Sequence, residues 1–261
     1  MTNLSISTIQ TNLYWEDKTA NLAMLGEKIG TLDGAEVVVL PEMFSTGFSM
    51  QPQLFAEPMD GPTIAWMQEV AARKKVILTG SIMAVEDGKY FNRLIWMLPT
   101  GQFGYYDKRH LFAFAGEHHH YTSGNRRLVA QVKGWRILLL ICYDLRFPVW
   151  SRQQLQHETP EYDAIIYVAN WPDRRSLAWR TLLQARAIEN QCYVIGVNRV
   201  GNDGNGIYHS GFSSVIDPLG EILFQLKDAE GISSLLLESE KLLEIRQKTP
   251  FWKDGDSFQI I

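Results

Sequence analysis

Several side chains that could do chemistry stand directly after apolar, strand-like segments of the chain. Glu42 follows Val-Val-Val-Leu-Pro, Cys142 follows Ile-Leu-Leu-Leu-Ile and Asn170 follows Ile-Ile-Tyr-Val-Ala, while Lys108 closes a further segment of this kind. The carboxyl ends of strands are where α/β sheets bind ligands. A thiol, a carboxylate and an ammonium group at such ends would supply a nucleophile, a base and a cation for covalent catalysis.

Cys142 is the best candidate for the nucleophile. A thiol becomes reactive when a base removes its proton or a nearby cation stabilises the thiolate, and Glu42 and Lys108 could supply those two functions. The alternative is a buried structural cysteine, which is the common fate of an unpaired cysteine. That alternative fits Cys192 better, because Cys192 lies at a predicted junction between a helix and a strand.

The base and the cation are harder to tell from their neighbours. Glu42 follows Pro41, which restricts the residue before it to extended geometry, and a carboxyl group at such an apolar strand end suits proton transfer. The alternative is a solvated carboxylate in a turn. Lys108 lies in the segment Tyr-Tyr-Asp-Lys-Arg-His, where Asp107 or Arg109 could equally provide the functional charge.

Two other polar clusters are weaker candidates. The run Glu-His-His-His-Tyr at 117–121 suggests a metal site, but adjacent histidines cannot all face one ion, and no histidine pair has the i, i+4 spacing of a helical site. We therefore expect no metal. Asp173 to Arg175, together with Arg180, could bind an anionic substrate. Charges at the start of a helix usually form a solvated face, however, and we expect that here.

The overall charge and the cysteine count restrict the function classes. The formal net charge is -4, which provides no basic surface for nucleic acid and no polybasic stretch for an anionic membrane. No apolar run approaches the roughly 20 residues of a membrane span, and the N-terminus lacks the pattern of a signal peptide. The two cysteines fit no metal site, redox pair or disulfide framework. We therefore expect a cytoplasmic protein whose partner is a small molecule.

The hydrophobic pattern alternates between strand-like and helix-like segments. It predicts strands at Leu4–Ile9, Val37–Leu40, Val76–Met83, Phe91–Leu98, Gly104–Asp107, Leu128–Val132, Ile137–Ile141, Ala164–Ala169, Tyr193–Asn198, Phe212–Ile216, Glu221–Gln225 and Ile232–Leu237. It predicts helices at Asp17–Leu32, Thr63–Lys74, Val149–Gln156, Leu177–Asn190 and Glu238–Gln247. This alternation indicates an α/β protein, and the many adjacent strands indicate two stacked mixed sheets with helices outside. No linker interrupts the pattern, so we expect one domain over residues 1–261.

These residues give the chain a resemblance to the nitrilase, or carbon-nitrogen hydrolase, superfamily. The matching motifs occur in order along nearly the whole chain: Leu40-Pro-Glu-Met-Phe44, Tyr106-Asp-Lys-Arg-His-Leu-Phe112, Glu117, Cys142-Tyr-Asp-Leu-Arg-Phe-Pro148, Asn170-Trp-Pro172, Ala185-Arg-Ala187 and Asn198-Arg-Val-Gly201. The resemblance implies a four-layer α-β-β-α sandwich that needs no cofactor. It also implies a catalytic set on Glu42, Lys108 and Cys142, the positions that the strand ends select.

The resemblance suggests roles for further residues. Many members carry a second active-site glutamate after the lysine, and Glu117 matches it in order and approximate spacing, although a surface carboxylate is the alternative. The backbone N–H of Tyr143 would join Lys108 in stabilising the oxyanion that forms when the cysteine attacks a carbonyl group. Candidate substrate contacts are Phe44, His119, Arg146, Asn170 and Trp171, of which Arg146 fits a structural role equally well.

Within the superfamily, the chain is most similar to the bacterial ω-amidase branch, on the segments Pro41 to Phe48 and Cys142 to Phe147. Enzymes of that branch hydrolyse the terminal amide of α-ketoglutaramate and related short dicarboxylate monoamides through a cysteine thioester. The alternatives are another amidase, acting on N-carbamoyl amides, deaminated glutathione or aliphatic amides, and a catalytically silent binding module. Members commonly pair through their outer helices, so at least a homodimer is expected.

Overall fold

Two β-sheets with helices on their outer faces form the fold in this computed structural model, which describes residues 1–156 and 159–260. The strands are β1 Leu4–Gln10, β2 Val37–Val39, β3 Ile77–Glu86, β4 Lys89–Met97, β5 Phe103–Asp107, β6 Val129–Val132, β7 Trp135–Ile141, β8 Leu155–Gln156, β9 Thr159–Pro160, β10 Ala164–Ala169, β11 Tyr193–Asn198, β12 Val200–Asn202, β13 Tyr208–Ile216, β14 Ile222–Lys227 and β15 Gly231–Leu237. The helices are α1 Lys18–Gly30, α2 Pro52–Phe55, α3 Pro62–Lys74, α4 Pro148–Ser151, α5 Ser176–Asn190 and α6 Ser239–Lys248. Short 3-10 turns occupy Ala113–Ala115, Glu117–His119, Cys142–Arg146, Asp173–Arg175 and Phe251–Asp254. No helix among the described residues is both long enough and apolar enough to cross a membrane.

The first sheet has the strand order β15-β1-β2-β3-β4-β5. Strands β1, β2 and β3 are parallel to one another, and the remaining pairs are antiparallel. Strand β2 shows how the sheet is covered on both faces. Val37 and Val39 belong to the core between the sheets, whereas Val38 packs among the apolar residues of α1 and α3. Side chains alternate along a strand, so a short apolar run supplies both layers.

The second sheet has the order β12-β13-β11-β10-β7-β6, and β14 pairs with β13. Strands β7, β10 and β11 are parallel, and the other pairs are antiparallel. Helix α5 packs on the outer face, close to Gly196 of β11. A Cβ atom at that position would lie 2.6 Å from Leu183 Cδ1 and 2.9 Å from Trp179 Cζ2. Only a residue without a side chain permits this approach of helix and sheet.

The inner faces of the two sheets share one large apolar core. It contains residues of β1, β2, β4 and β5 from the first sheet and of β7, β10, β11 and β13 from the second. A separate apolar cluster lies between the first sheet and helices α1 and α3. The layers therefore run helix, sheet, sheet, helix, which confirms the predicted α/β sandwich with two stacked mixed sheets.

The predicted helix at Val149–Gln156 is wrong beyond its first turn, because α4 ends at Ser151 and Arg152 is extended, with φ -66° and ψ 129°. Gln153 bonds to a distant helix end instead. Its backbone N–H donates to Asn190 Oδ1 at 2.8 Å, and its Nε2 donates to Asn190 O at 2.8 Å. These long-range bonds satisfy the polar groups that a continued helix would have paired locally.

Candidate active site

The ends of three strands bring a carboxylate, an ammonium group and a thiol to one buried point. Glu42 follows β2, Lys108 follows β5 and Cys142 follows β7. Lys108 Nζ lies 2.9 Å from Glu42 Oε1, and both carboxylate oxygens of Glu117 lie 3.0 and 2.9 Å from the same nitrogen. The exposed fraction is 0% for the two glutamates and the lysine and 8% for Cys142. One ammonium group is thus held between two carboxylates, away from solvent.

Two asparagines fix the orientation of Glu42. Asn92 of β4 donates from Nδ2 to Glu42 Oε1 at 2.8 Å and to Glu117 Oε1 at 3.2 Å. Asn170, at the end of β10, donates its backbone N–H to Glu42 Oε2 at 2.7 Å and its side-chain Nδ2 to Glu42 O at 2.6 Å. Both carboxylate oxygens of Glu42 therefore have fixed partners, which limits the carboxylate to one orientation.

A sharp backbone turn presents the thiol. The φ angle of Cys142 is +42°, in the left-handed region that residues with a side chain rarely adopt. Cys142 begins the 3-10 turn that follows β7. Its Sγ lies 4.0 Å from Asn170 O, and the negative charge of Glu42 acts on the thiol. The first N–H groups of a helical turn have no acceptor inside the turn, so the N–H of Tyr143 is one that can serve an oxyanion.

Burial and neighbouring charges set the protonation states of the set. Burial raises the pKa of the Cys142 thiol, the negative charge of Glu42 raises it further, and Lys108 opposes the shift. Burial by itself would lower the pKa of Lys108, but the carboxylates of Glu117 and Glu42 raise it above its ordinary value. Burial also raises the pKa of Glu117, an effect that Lys108 opposes and Glu42 reinforces. The resting thiol is therefore protonated, and forming the thiolate requires a base in contact with it.

A cavity of about 240 Å³ reaches Cys142 and Lys108. The other residues that line it are Phe48, Phe112, Phe114, Ala115, Tyr143, Arg146, Asn170, Trp171, Pro172, Arg174, Arg175, Asp203, Ile207 and His209. The volume is at the small end of ligand cavities, so it suits a small substrate. The predicted substrate contacts Arg146, Asn170 and Trp171 lie in this lining.

Three arginines line the cavity, together with the carboxylate of Asp203. The guanidinium carbon of Arg146 lies 4.8 Å from the ring centre of Trp171, and that of Arg175 lies 5.0 Å from the ring centre of Phe112. In the part of the chain that the structure describes, neither these two side chains nor Arg174 forms an ion pair or a hydrogen bond. Burial lowers the pKa of Arg175, and the positive charges of Arg174 and Arg146 lower it further. The cavity therefore offers positive charge that an anion would neutralise.

The expectation of a purely solvated face at Asp173 to Arg175 is wrong. The turn that contains these residues follows Pro172, three residues after β10 ends at Ala169, and Arg174 and Arg175 line the same cavity as Cys142. Arg180 lies in helix α5, outside this lining, and its guanidinium carbon is 4.7 Å from the Phe212 ring centre.

Two predicted substrate contacts lie outside the cavity lining. Phe44 has no exposed surface and packs in the cluster between the first sheet and its helices, with its ring centre 5.9 Å from that of Trp66. His119 is exposed on the turn Glu117–His119. This turn directs Glu117 inward to Lys108 and leaves His119 in solvent, because neighbouring residues of a tight turn face different directions.

Sequence reasoning missed several residues of the site. Asn92 contacts both glutamates, but it lies beside Arg93 in a strand that also contains Lys89, so no local pattern marks it. Phe48 and Phe112 form part of the cavity wall, and both lie within the matching motifs. Asp203 and His209 reach the cavity from the loop before β13 and from β13 itself, and no local pattern distinguishes them.

Comparison with known proteins decides the family. The carbon-nitrogen hydrolase family model matches residues 5–247. The chain belongs to the carbon-nitrogen hydrolase family. It is 43% identical to Omega-amidase YafV of Escherichia coli strain K12, with 100% of both chains covered. It is 32% identical to 2-oxoglutaramate amidase of Bacillus subtilis strain 168, over 84% of this chain and 85% of that protein.

A solved structure supports the same family. The chain superposes with a TM-score of 0.98 on XC1258 from Xanthomonas campestris, described as a CN-hydrolase superfamily protein with an arsenic adduct in the active site. The two chains are 44% identical, and 100% of each is covered. As a member of this family, the chain is a hydrolase of carbon–nitrogen bonds.

Proposed function

We propose that the chain is an ω-amidase that hydrolyses the terminal amide of short dicarboxylate monoamides such as α-ketoglutaramate. Two of its relatives carry the names Omega-amidase and 2-oxoglutaramate amidase. The observation that carries the proposal is that three arginines and one carboxylate, that of Asp203, line the same cavity as Cys142, so positive charge is in excess among these lining residues. A substrate with an amide at one end and a carboxylate at the other matches both parts of this cavity.

The arginines would bind the distal carboxylate. A guanidinium group offers a planar fork of donors that matches a carboxylate, and such charge-assisted bonds are stronger than neutral ones. Arg146 and Arg175 already lie against the rings of Trp171 and Phe112, which limits the side-chain entropy lost on binding. The aromatic walls exclude water from the substrate stem between its two ends.

In the first half-reaction, Glu42 takes the proton from the Cys142 thiol, and the thiolate attacks the carbon of the substrate amide. The carbonyl electron pair moves onto oxygen, and Lys108 Nζ and the N–H of Tyr143 stabilise that oxyanion. When the oxyanion collapses, the carbon–nitrogen bond breaks and Glu42 returns its proton to the leaving nitrogen. Ammonia leaves, and the acyl group remains on Cys142 as a thioester.

In the second half-reaction, Glu42 takes a proton from water, whose oxygen attacks the thioester carbon. The same donors stabilise the second oxyanion. The carbon–sulfur bond then breaks, the proton held by Glu42 returns to the Cys142 sulfur, and the carboxylic acid leaves and ionises. One base thus serves both steps, as its fixed contacts with Asn92 and Asn170 allow.

Glu117 would act through Lys108. Its two oxygens and one oxygen of Glu42 surround Lys108 Nζ, so the ammonium group stays charged and in place. A fixed cation stabilises a developing oxyanion without the reorganisation that a mobile one requires.

The test is a substrate panel with ammonia release as the readout. It contains α-ketoglutaramate, pentanamide as a neutral amide of the same chain length, an N-carbamoyl amino acid and a nitrile. We expect the highest kcat/KM for α-ketoglutaramate. Equal or better turnover of the N-carbamoyl compound or the nitrile would contradict the proposal, as would no turnover of any amide.

The Arg175→Gln variant tests the observation that carries the proposal. Loss of a charge-assisted contact of about 1.5–3 kcal/mol predicts a fall of about 10- to 150-fold in kcat/KM for α-ketoglutaramate and little change for pentanamide. Arg180→Gln is the matched control, because Arg180 lies outside the cavity lining. Equal losses on both substrates would mean that Arg175 does not bind the carboxylate.

We further propose that the chain forms at least a homodimer through its outer helices. Leu177 and Ile188 lie about three turns apart on α5 and therefore share a face, and their exposed fractions are 75% and 54%. The two unpaired cysteines support a cytoplasmic location, where thiols stay reduced.

A further inference from the structure

We propose that Asp144 is a positioning residue that holds the turn around Cys142 and the segment after Lys108 in one fixed arrangement. The proposal rests on the proposed amidase function, because it concerns the alignment of the two oxyanion donors. Asp144 does not line the cavity and does not reach the substrate. It acts through the backbone on either side.

The carboxylate of Asp144 is fully buried and accepts four hydrogen bonds. Its Oδ2 accepts from the backbone N–H of Ile141 at 3.1 Å and from the hydroxyl of Tyr106 at 2.7 Å. Its Oδ1 lies 3.0 Å from the backbone N of His110, which donates to it, and 2.8 Å from His110 Nδ1. A buried carboxylate with this many donors is held in one orientation.

One of these contacts sets the turn at the nucleophile. Ile141 precedes Cys142, and Asp144 follows it by two residues, so their bond closes the turn around Cys142. That turn requires the left-handed φ of +42° at Cys142. A residue persists in such a conformation only when its surroundings over-determine it. The same closed turn directs the N–H of Tyr143.

The remaining contacts fix the segment that carries Lys108. His110 bonds to Asp144 through both its backbone and its ring, and the ring stacks on Phe147 with a centroid distance of 3.8 Å and an angle of 7°. The Tyr106 hydroxyl, besides donating to Asp144, accepts from the backbone N–H of Arg109 at 3.1 Å. Residues on both sides of Lys108 therefore depend on one carboxylate.

The Tyr106 hydroxyl also accepts from Trp150 Nε1 at 3.0 Å. Burial raises the pKa of Tyr106, and the negative charge of Asp144 raises it further, so the hydroxyl keeps its proton and stays a donor. Both oxygens of the buried Asp144 carboxylate therefore have hydrogen-bond donors. An amide in place of Asp144 would turn an NH2 group toward groups that are themselves donors.

The test separates oxyanion stabilisation from thiol reactivity. Alkylation of Cys142 by iodoacetamide needs the thiolate but forms no oxyanion, whereas amide hydrolysis needs both. For Asp144→Asn, we expect kcat on the best amide substrate to fall about 100-fold with KM changed less than about 3-fold, because misplaced oxyanion donors cost about this much. The alkylation rate should change less than about 5-fold.

Asp163→Asn is the matched control for loss of a buried aspartate. Asp163 is also buried and bonds to Arg136 and Arg246 outside the active site. Its variant should keep wild-type kcat even where it unfolds at a lower temperature. Tyr106→Phe removes a single donor to Asp144, and we expect a fall of about 5- to 10-fold in kcat with unchanged alkylation. If Asp144→Asn does not fold, the kcat and alkylation rate of Tyr106→Phe test the proposal instead.

Two results would overturn the assignment. One is a kcat within about 3-fold of wild type in both Asp144→Asn and Tyr106→Phe. The other is a parallel fall of kcat and alkylation rate, which is what a merely structural role predicts. The wild-type turnover of the amide panel tests the proposed function separately, since the positioning role is measured as a ratio of variant to wild type.

Discussion

Replacing Glu117 with glutamine is the change that most directly probes the buried ion cluster. Glu117 contacts Lys108 Nζ with both oxygens, at 3.0 and 2.9 Å, and accepts a further bond from the backbone N–H of Phe112. Asn92 Nδ2 also donates to Glu117. A glutamine side chain has one oxygen for these three donors and turns an NH2 group toward at least one of them. The variant therefore removes a charge and creates a clash between donors without changing the volume of the side chain.

The size of the effect follows from the distances. Two unit charges 2.9 Å apart attract by about 6 kcal/mol at an effective dielectric constant of about 20. The cost of removing both charged groups from water offsets part of this attraction. Loss of one partner from a buried pair costs about 3–5 kcal/mol. Lys108 keeps Glu42 as a partner, so we expect the lower end, about 3 kcal/mol of unfolding free energy. A displaced ammonium group predicts a loss of about 100-fold in kcat.

The assay combines steady-state ammonia release with urea denaturation. Glu57→Gln is the matched control, because Glu57 is a buried carboxylate that pairs with Lys18 and accepts from Thr63 away from the cavity. It should lose stability but keep kcat. A Glu117→Gln variant with kcat within about 3-fold of wild type would refute the role of Glu117 in holding Lys108. Equal kcat losses in both variants would refute it as well.

Three further predictions concern the surroundings of the site. Asn92→Ala removes the donor shared by the two glutamates, and steady-state kinetics should show kcat lower by about 10-fold, as expected for one buried bond of about 1.5 kcal/mol. Burial lowers the pKa of His209 to about 4 from 6.5. As the pH falls from about 6.5 to about 4, the imidazole is therefore protonated in the unfolded state but not in the folded state. The free energy of unfolding falls over this pH range. In urea denaturation, the unfolding free energy of His209→Gln should fall less than that of the wild type over this pH range, by up to about 3 kcal/mol. The same pH dependence in both proteins would contradict this role of His209. Gly80→Ala places a Cβ atom 2.7 Å from Phe44 Cδ1, so urea denaturation should show a loss of about 1–3 kcal/mol, whereas unchanged stability would contradict this packing.

The strands and their ends were predictable because their signal is local. A run such as Val37–Val39 supplies apolar side chains to both faces of a sheet, so it marks a buried strand regardless of its partners. The position after such runs indicated Glu42 and Cys142, whereas the choice of Lys108 over Asp107 and Arg109 depended on the resemblance to the family. That one domain spans residues 1–261 stays a prediction.

The remaining features depend on contacts between distant segments. The chain leaves the helix at Ser151 because Gln153 bonds to Asn190, which no window around residue 150 contains. Arg175 reaches the cavity because β10 ends beside β7, a pairing that the helix-start pattern does not reveal. Phe44 lies in a matching motif, yet its side chain packs against Gly80 in the apolar core and not in the cavity. A motif therefore located the site but did not say which of its side chains face the substrate.

The central claim is that Cys142 carries the acyl group between two half-reactions. Rapid acid quenching during turnover of α-ketoglutaramate, followed by intact mass and peptide mapping, measures this directly. We predict a mass increase equal to the substrate minus ammonia on the peptide that contains Cys142, and no adduct and no turnover in Cys142→Ala. Ammonia release at the wild-type rate by Cys142→Ala, or an acyl adduct on another residue, would contradict the claim.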